Sequence, residues 1–302
     1  MDKLNFLINY LIKENKNVNI EKMPENLSDK KRLYRSLCNI RDPMPISNEY
    51  IKIENEYLSE ENKLKGINKV EDIMAFTNYK GTEICLWKGD ITTLKIEAIV
   101  NAANSRGLGC FIPCHKCIDN AIHSASGIEL RLECNEIMNE LKNLQTGKAF
   151  ITNAYNLPAN YIIHTVGPII YEEVTKQKIL ELEECYINAL ELAKEKNIKE
   201  IAFPCISTGE FRFPKDLASR IAIKVIKKYI DENKKCFKKI IFNTFLEEDY
   251  NIYLENLGEE YGRIWFKNNK SQTNDWKSRV YYNRSRKRTI NSSRIRVLWW
   301  EL

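Results

Sequence analysis

The most unusual local feature of the sequence is a short run of side chains that can bind a metal. Four residues able to ligate zinc lie within eight positions: Cys110, Cys114, His115 and Cys117. Structural zinc usually takes four ligands from two separated pairs, whereas three protein ligands and an open fourth position are typical of catalytic zinc. The sequence offers no second pair, so the spacing favours catalytic Zn²⁺ held by Cys110, His115 and Cys117. The alternative is a redox-active or buried thiol cluster.

The residues around this run can add acid–base chemistry. Cys114 and His115 are adjacent, so their side chains are not expected to point to the same metal ion. Cys114 is therefore the expected spare thiol, although the spacing leaves open whether it joins the zinc. Asp119 lies where a helix is expected to begin. A carboxylate there can cap the helix, or it can orient a water beside a bound metal. His123, four residues later, is expected to face the core.

Polar side chains also follow two of the predicted strands. Asp90 comes just after a strand that ends at Trp87, where a carboxylate can accept hydrogen bonds from an exocyclic amine or cap the next turn. Asn101 and Asn104 follow a strand that ends at Val100. Their amides can hold the hydroxyl groups of a ligand, and the alternative is an ordinary turn stabilised by asparagine.

A third polar loop follows the predicted strand that ends at Phe203. Its residues are Ser207, Thr208, Gly209, Glu210 and Phe211. Backbone N–H groups and hydroxyls before a helix can cradle an anion, while Phe211 and the later Phe213 can stack on a sugar or shield the site. An ordinary turn is the alternative. The loop lacks the Gly-Lys-Ser/Thr ending of a P-loop, which disfavours hydrolysis of nucleoside triphosphates.

These loops need a framework that brings the ends of several strands together. From residue 83 onward, apolar runs that are typical of buried strands alternate with helical patterns. The predicted strands are 84–87, 98–100, 149–152, 161–166, 200–203 and 239–244, and the clearest helices are 119–134, 178–196 and 215–232. This alternation predicts an α/β fold with an open, mostly parallel sheet covered on both faces by helices. Such sheets bind ligands at the carboxyl ends of their strands.

Residues 1–62 carry a different pattern, with helical periodicity at 5–12, 28–37 and 50–58, and 63–80 is a polar connection. The positive charge is concentrated at the other end. Of the net charge of +6, residues 276–302 contribute +7 from eight Lys or Arg and one acid, which leaves −1 for residues 1–275. The near-neutral body has no basic stripe with interleaved aromatics, which argues against nucleic-acid binding.

Composition narrows the class of protein further. A hydrophobic content of 43% is that of a globular chain, and nine cysteines, an odd number, argue against a disulfide framework. No apolar run approaches the ~20 residues of a membrane span, and Asp2 is an acid where a signal peptide carries positive charge. We therefore expect a cytoplasmic protein without membrane attachment.

Five motifs, in order over residues 83–257, resemble the macrodomain, an ADP-ribose-binding module. They are Gly-Asp-Ile-Thr at 89–92, Val-Asn-Ala-Ala-Asn-Ser at 100–105, Thr-Gly-Lys-Ala at 146–149, Tyr-Ile-Ile-His-Thr-Val-Gly-Pro at 161–168 and Ile-Ser-Thr-Gly at 206–209. Related hydrolytic macrodomains have a glycine-rich run before Val-Asp-Gly-Cys-Ile-His. Here the cysteine run 110–117 replaces it, which resembles the zinc-dependent branch found in bacterial operons, and 37–47 resembles the helical extension of that branch.

The resemblance implies a fold and a division of the chain. The fold is a three-layer α/β/α sandwich with a mixed, mostly parallel sheet, preceded by a helical extension. Residues 1–80 would form that extension packed on the core, and 81–262 would form the macrodomain. The remaining segment, 263–302, is predicted to be a disordered basic tail.

The resemblance also implies roles for the residues singled out above. Asp90 and Ile91 would meet the adenine, and Ser207, Thr208, Gly209, Glu210 and Phe211 would hold the diphosphate. Asn101 and Asn104 would line the distal ribose, and Cys110, His115 and Cys117 would bind Zn²⁺. Asp119 occupies the position of the catalytic aspartate in the glycine-rich branch, and Asn101 and Asn104 would assist it.

The implied reaction is removal of mono-ADP-ribose from modified protein side chains. Zinc would polarise a ribose hydroxyl or a water, and Asp119 would act as a base or orient that water. The resemblance implies two partners. One is a mono-ADP-ribosylated protein, for which the resemblance suggests a lipoylated carrier similar to the glycine-cleavage H protein. The other is a sirtuin-type ADP-ribosyltransferase as a functional neighbour. The competing hypothesis is a non-catalytic reader of ADP-ribose, which would not need the metal-binding run. The sequence leaves the target, the linkage and the oligomeric state open.

Two interpretations of residues 276–302 remain. With permissive codons, reading this segment one nucleotide further on gives a Gly-Ala-Gly-x-Gly-Leu-Ser motif that resembles the start of a sirtuin, so the tail can be a frameshift product. The alternative is a genuine basic tail that binds nucleic acid or acidic partners.

Overall fold

The computed structural model of this protein describes residues 2–15 and 22–268, with side chains as far as Tyr261. Its helices are α1 Lys3–Glu14, α2 Leu27–Ile40, α3 Asn48–Leu64, α4 Ile118–Ser126, α5 Ile128–Leu141, α6 Lys176–Glu195, α7 Lys215–Glu232 and α8 Glu247–Asn268. Its strands are β1 Asn68–Lys69, β2 Ala75–Tyr79, β3 Thr82–Lys88, β4 Leu94–Lys95, β5 Ala98–Ala102, β6 Ala149–Asn153, β7 Tyr161–Thr165, β8 Glu200–Phe203 and β9 Lys239–Thr244. The chain divides into two units at residues 256 and 257, and the description below concerns the first.

A seven-stranded sheet forms the centre of this unit, in the order β2-β3-β9-β8-β5-β7-β6. The five inner strands run parallel, and only the edge strands β2 and β6 are antiparallel to their neighbours. Parallel neighbours need crossover connections, and α4 to α7 supply them. The predicted open, mostly parallel sheet is therefore confirmed.

Alternation along the strands divides the sheet into two apolar faces. On one face, Ile99 and Ile162 join the side chains of α4 and α5 in a single buried cluster. On the other face, Phe203 lies 5.3 Å from Tyr186 of α6, measured between ring centroids. Helices thus cover both faces, and residues two positions beyond Ile99 and Ile162 face α4.

The N-terminal helices α1, α2 and α3 form a separate small core that leans on α5. Their buried side chains pack on Ile128 at the start of α5. Glu54 of α3 is fully buried at this junction and accepts hydrogen bonds from the hydroxyls of Tyr34 (2.6 Å) and Tyr50 (3.2 Å) and from the N–H of Ile128 (2.8 Å). One carboxylate therefore joins the extension to the first turn of a core helix.

The helix predicted over 119–134 is in fact two helices, because Gly127 separates α4 from α5. Gly127 has φ of 101°, a conformation that side chains rarely allow, and a Cβ there would lie 2.9 Å from Glu54 Oε2. Gly127 is thus both the end of α4 and the place where the extension approaches the core.

Two boundaries differ from the sequence prediction. Strand β2, Ala75–Tyr79, belongs to the main sheet, although the polar segment 63–80 was assigned to the extension. Only five residues long and at the edge, it carries too weak a pattern to be recognised. Helix α8 continues to Asn268, into the segment predicted as tail. The rest of that tail, 269–302, with both interpretations of it, lies outside the described residues.

Across residues 2–15 and 22–268, the structure has no helix with both the length and the apolar character that a bilayer crossing requires.

Glu54→Ala is expected to lower the free energy of unfolding by about 2–4 kcal/mol, because it leaves two buried hydroxyls and a buried N–H without their acceptor. Chemical denaturation followed by circular dichroism measures this. Glu60→Ala is the matched control on the same helix, since Glu60 only forms an exposed ion pair with Lys3 and its loss should cost less than about 1 kcal/mol. Equal losses for the two variants would contradict the role given to Glu54.

Candidate functional site

The strand register places two polar side chains side by side at the carboxyl end of the sheet. Asn101 of β5 pairs with His164 of β7, and both face α4 because each lies two residues after an apolar residue of that face. Both are fully buried. The buried polar pair is therefore fixed by the alternation that builds the core.

Asp119, in the first turn of α4, meets these strands at its carboxylate. Its Oδ1 accepts a hydrogen bond from Asn101 Nδ2 (2.8 Å), and its Oδ2 accepts one from Asn104 Nδ2 (3.1 Å). His123 Nε2, one turn further along α4, lies 3.6 Å from Oδ1. The three residues predicted to be catalytic, Asp119, Asn101 and Asn104, are thus brought together.

Burial dominates the electrostatics of this cluster. It raises the pKa of Asp119 to about 6, against the hydrogen bond from Asn101, the charge of Arg131 and the hydrogen bond from Asn104, which all lower it. His123 is buried as predicted, and burial keeps its pKa well below the usual value, so its ring is neutral. A carboxylate with a pKa close to neutrality is suited to proton transfer.

The predicted metal ligands converge just before α4. One ligand atom from each of Cys110, His115 and Cys117 lies within 4.8 Å of the others, and Cys110 Sγ is 3.7 Å from His115 Nδ1. Zinc bonds of about 2.3 Å to sulfur and 2.0–2.1 Å to nitrogen put tetrahedral ligand atoms roughly 3.5–3.8 Å apart. The side chains present therefore fit a zinc ion with little rearrangement.

The thiols of this loop differ in their surroundings. Cys117 is the N-cap of α4, its sulfur accepting from the N–H of Asn120 at 3.4 Å. Burial raises the pKa of Cys117 to about 12, which is opposite to the lowered pKa of a reactive thiolate. Cys114 points away from the cluster, with Sγ 3.4 Å from the carbonyl of Arg32 and 3.7 Å from Ser36 Oγ.

Two arginines form hydrogen bonds that hold the loop 110–117, called the metal loop below, in place. Arg35 of α2 donates to the carbonyl of His115 (3.1 Å) and twice to Asn120 Oδ1 (2.6 and 3.0 Å). Arg131 of α5 is buried and donates to the carbonyls of Cys38, Asn39 and Arg41 in the extension and to those of Leu108 and Cys110 in the loop. The extension and the metal loop therefore share one guanidinium.

Glu210 belongs to the loop 207–211, called the anion loop below, and its side chain extends to the metal loop. Its Oε1 lies 3.5 Å from His115 Nε2, the ring nitrogen on the other side from Nδ1, which faces Cys110. A metal-binding histidine commonly donates its second N–H to a carboxylate. Glu210, predicted from resemblance to bind the diphosphate, is placed where it can orient His115.

The anion loop itself is a sharp turn between β8 and α7. Ser207 has φ of 65° and is buried, Gly209 has open space where a Cβ would be, and Thr208 donates from Oγ1 to the carbonyl of Cys205 at 3.0 Å. Phe211 is half-buried, with its carbonyl accepting from the N–H of Ile170. The expected stacking of Phe213 on a ligand is wrong, because that ring is 1% exposed and belongs to the core.

The opposite end of the site is formed by the loops after β3 and β9. Asp90 caps the following turn, its Oδ1 accepting from the N–H (2.9 Å) and the hydroxyl (2.7 Å) of Thr92. Ile91 buries its side chain in the core. Since β3 and β9 are parallel and in register, Phe245, which is 73% exposed, follows β9 at the edge that carries Asp90.

Sequence reasoning missed His164 and Arg131 as site residues. His164 was read as part of a strand and a motif, although its spacing from Ile162 is the signal that puts it on the face of Asn101. Arg131 gave no sequence signal, since its partners are backbone carbonyls from 90 or more positions away as well as nearby.

Comparison with known proteins agrees with this geometry. The model of the Macro domain family matches residues 100–222. A protein of Staphylococcus aureus named protein-ADP-ribose hydrolase is 44% identical over 255 residues, which is 84% of this chain and 94% of the relative.

Solved macrodomain structures agree as well. The Oceanobacillus iheyensis macrodomain with ADP has a TM-score of 0.58 and 38% identity, covering 63% of this chain and 97% of its own. The Trypanosoma brucei macrodomain in complex with ADP-ribose has a TM-score of 0.56 and 28% identity, covering 76% of this chain and 95% of its own. With a relative this similar over nearly its whole length and with the macrodomain sheet and helices in place, the chain belongs to the macrodomain family.

Proposed function

We propose that this protein is a zinc-dependent hydrolase that removes mono-ADP-ribose from modified protein side chains. The observation that carries the proposal is one juxtaposition. The three convergent ligands of the metal loop lie directly before the helix that presents Asp119, and Asp119 is bonded to both asparagines of the β5 loop. A module that only binds ADP-ribose does not need three candidate metal ligands beside a buried carboxylate.

The relatives support the substrate class. The S. aureus relative is named for hydrolysis of protein-linked ADP-ribose, and the O. iheyensis and T. brucei structures hold ADP and ADP-ribose. ADP-ribose has an adenine, a diphosphate and a distal ribose, which correspond to Asp90 and Ile91, to the loop 207–211 and to the Asn101–Asn104 loop. We propose this assignment of subsites for the chain.

Two buried acceptors favour a ligand in this position. Asn101 Oδ1 and Ser207 Oγ are buried and have no hydrogen-bond partner among the described residues. An unmet buried polar atom costs about 1–3 kcal/mol. A ligand hydroxyl that donated to Asn101 Oδ1, or a phosphate oxygen that accepted from the Ser207 hydroxyl, would recover that energy. Gly167 is needed beside Ser207, since a Cβ there would lie 1.9 Å from Ser207 Oγ.

Zinc is the metal that suits the donor set of Cys110, His115 and Cys117, because it favours sulfur and nitrogen ligands in tetrahedral geometry. When bound with a free position, zinc supplies Lewis-acid polarisation of an oxygen ligand.

The protein side chains would divide the remaining work. Asp119 accepts a proton from the attacking water, and Asn101 and Asn104 hold the two carboxylate oxygens in place. The water oxygen forms a bond to the anomeric carbon, the bond from that carbon to the protein side chain breaks, and Asp119 passes the proton that it took from the water to the leaving side chain. The alternative is that the water attacks the carbonyl carbon of an ester that links ADP-ribose to the protein side chain. As partners we propose a mono-ADP-ribosylated protein, with a lipoylated H-like carrier and a sirtuin-type transferase resting on resemblance alone.

Cys117→Ser is expected to abolish stoichiometric zinc and to lower turnover by about 100-fold or more. Serine is itself a good N-cap, so helix α4 keeps its first turn while the metal ligand is lost. Zinc is quantified by elemental mass spectrometry after purification under reducing conditions. ADP-ribose release is measured from a mono-ADP-ribosylated protein before and after chelation.

Cys114→Ser is the matched control, because its sulfur points to Arg32 and Ser36 and should not affect zinc or turnover. Chelator-resistant release by the wild-type protein would contradict the zinc requirement. Bound zinc and tight ADP-ribose binding without any release would favour the reader.

Asp119→Asn is expected to lower kcat by about 10²–10⁴-fold, because an amide cannot take the proton from water. The affinity for free ADP-ribose, measured by calorimetry, should change only a few-fold. Asp72→Asn, an exposed aspartate outside the site, serves as the control. Full turnover by the Asp119 variant would reject the assigned role.

Glu210→Ala is expected to weaken zinc binding by about 10- to 100-fold, since His115 loses the carboxylate that orients its ring. Glu210→Gln should give a smaller loss, because its oxygen can still accept from His115 Nε2. Competition with a chromophoric chelator gives the affinities without any assay of turnover. Glu172→Ala removes an exposed carboxylate that is outside the contact with His115 and should leave the affinity unchanged; equal affinities for all variants would refute the pairing.

A further inference from the structure

The hydrogen bonds of Asn101 fix the state of a residue that has not been given a role. The side-chain nitrogen of Asn101 carries two hydrogens. One is donated to Asp119 Oδ1 at 2.8 Å, and the other points to His164 Nδ1 at 3.1 Å. Since an amide nitrogen only donates, Nδ1 of His164 must accept, and therefore it carries no proton.

The rest of the ring follows from that assignment. A neutral imidazole with a bare Nδ1 has its proton on Nε2, and His164 Nε2 lies 2.9 Å from Thr152 Oγ1, which accepts it. Turning the Asn101 amide over would place its oxygen against the Asp119 carboxylate, so the reverse arrangement is unfavourable. Asn101 is thus the double donor of a connected set of hydrogen bonds: it donates to Asp119 on one side and to His164 on the other, and His164 in turn donates to Thr152.

The surroundings hold the ring in this state. His164 is fully buried and is stacked on Phe150, with ring centroids 4.6 Å apart and planes 6° apart. Burial lowers the pKa of His164 to about 3, so the ring stays neutral near neutral pH. The ring therefore has no surface exposed to solvent.

We propose that His164 is a positioning residue for the reaction, whose bare Nδ1 holds the amide of Asn101 so that this amide presents an N–H to Asp119. The proposal rests on the proposed function in one respect, namely that Asp119 takes the proton from water. Without the acceptor, the second N–H of Asn101 is buried and unpaired, and the amide is free to turn. Asp119 then keeps only the hydrogen bond from Asn104.

Two substitutions separate this role from packing. Asparagine at 164 can place an oxygen near the position of Nδ1, whereas glutamine reaches toward the position of Nε2, and both lose the ring that stacks on Phe150. We expect His164→Asn to keep kcat within about fivefold of wild type. His164→Gln should lower kcat by about 10- to 100-fold, with a smaller change in KM.

Thermal unfolding of both variants is measured in parallel, because the loss of the ring should lower their melting temperatures to a similar extent. Similar stability with a kcat that is restored only in His164→Asn supports the positioning role. Equal kcat values in the two variants, whether lowered or unchanged, would overturn it.

A spectroscopic test does not depend on either variant folding. The chain has three histidines, so ¹⁵N-histidine labelling of the full protein gives a simple spectrum of ring nitrogens. We expect one ring with its proton on Nε2 throughout pH 5–8, assigned to His164 by comparison with His115→Ala and His123→Ala proteins. A proton on Nδ1, or a charged ring, would refute the proposal.

The two tests also separate this inference from the proposed function. A wild-type protein that releases no ADP-ribose rejects the hydrolase, while the tautomer of His164 is still read from the spectrum. Conversely, an active enzyme whose His164 carries its proton on Nδ1 keeps the function and loses the inference.

Discussion

The burial of the Asp119 carboxylate is the constraint on which the site depends. A charge removed from water is costly unless hydrogen bonds or opposite charge compensate it. Here the N–H groups of Asn101 and Asn104, the positive end of α4 and the charge of Arg131 provide that compensation, and the balance still leaves the pKa of Asp119 raised to about 6. These groups come from β5 and the loop after it, from α4 and from α5, so the carboxylate requires several elements of the fold to be in place.

The N-terminal extension has a structural part in the same constraint. Arg131 donates hydrogen bonds to carbonyls of both the extension and the metal loop, and Arg35 of the extension donates to the carbonyl of His115 in that loop. Glu54 of the extension accepts a hydrogen bond from the first N–H of α5. These groups are buried or half-buried at the junction. The helices before the sheet thus hold the loop 110–117 against the start of α4, which sets the distance between the proposed metal ligands and Asp119.

The metal loop and the anion loop meet at the contact between His115 and Glu210. A carboxylate in a loop that is proposed to hold a diphosphate would repel that ligand if it stood alone. Its approach to His115 gives it another partner, and it links the two loops across the site. Binding of the nucleotide end of a substrate and the orientation of a metal ligand would then be connected through one side chain.

The sequence by itself determined the parts of the protein whose signal is local. Buried strands are visible as apolar runs because both of their faces are covered, and six of them were placed correctly, whereas the short edge strand β2 was missed. The proposed zinc ligands Cys110, His115 and Cys117 were identifiable as candidates because they are close in the chain, and the loop brings their side chains together. Asn101, Asn104 and Asp119 were found through their motifs.

Only the tertiary structure decided what depends on contacts between distant segments. The break at Gly127 is invisible in the helical pattern of 119–134, because it is set by the approach of Glu54 from α3. The role of Arg131 rests on carbonyls of α2 and of the metal loop, which have no side-chain signature. The tautomer of His164 follows from Asn101 and Thr152, which lie on two other strands. Which partner donates in such a hydrogen bond is decided by the positions of both groups, and the order of residues does not contain those positions.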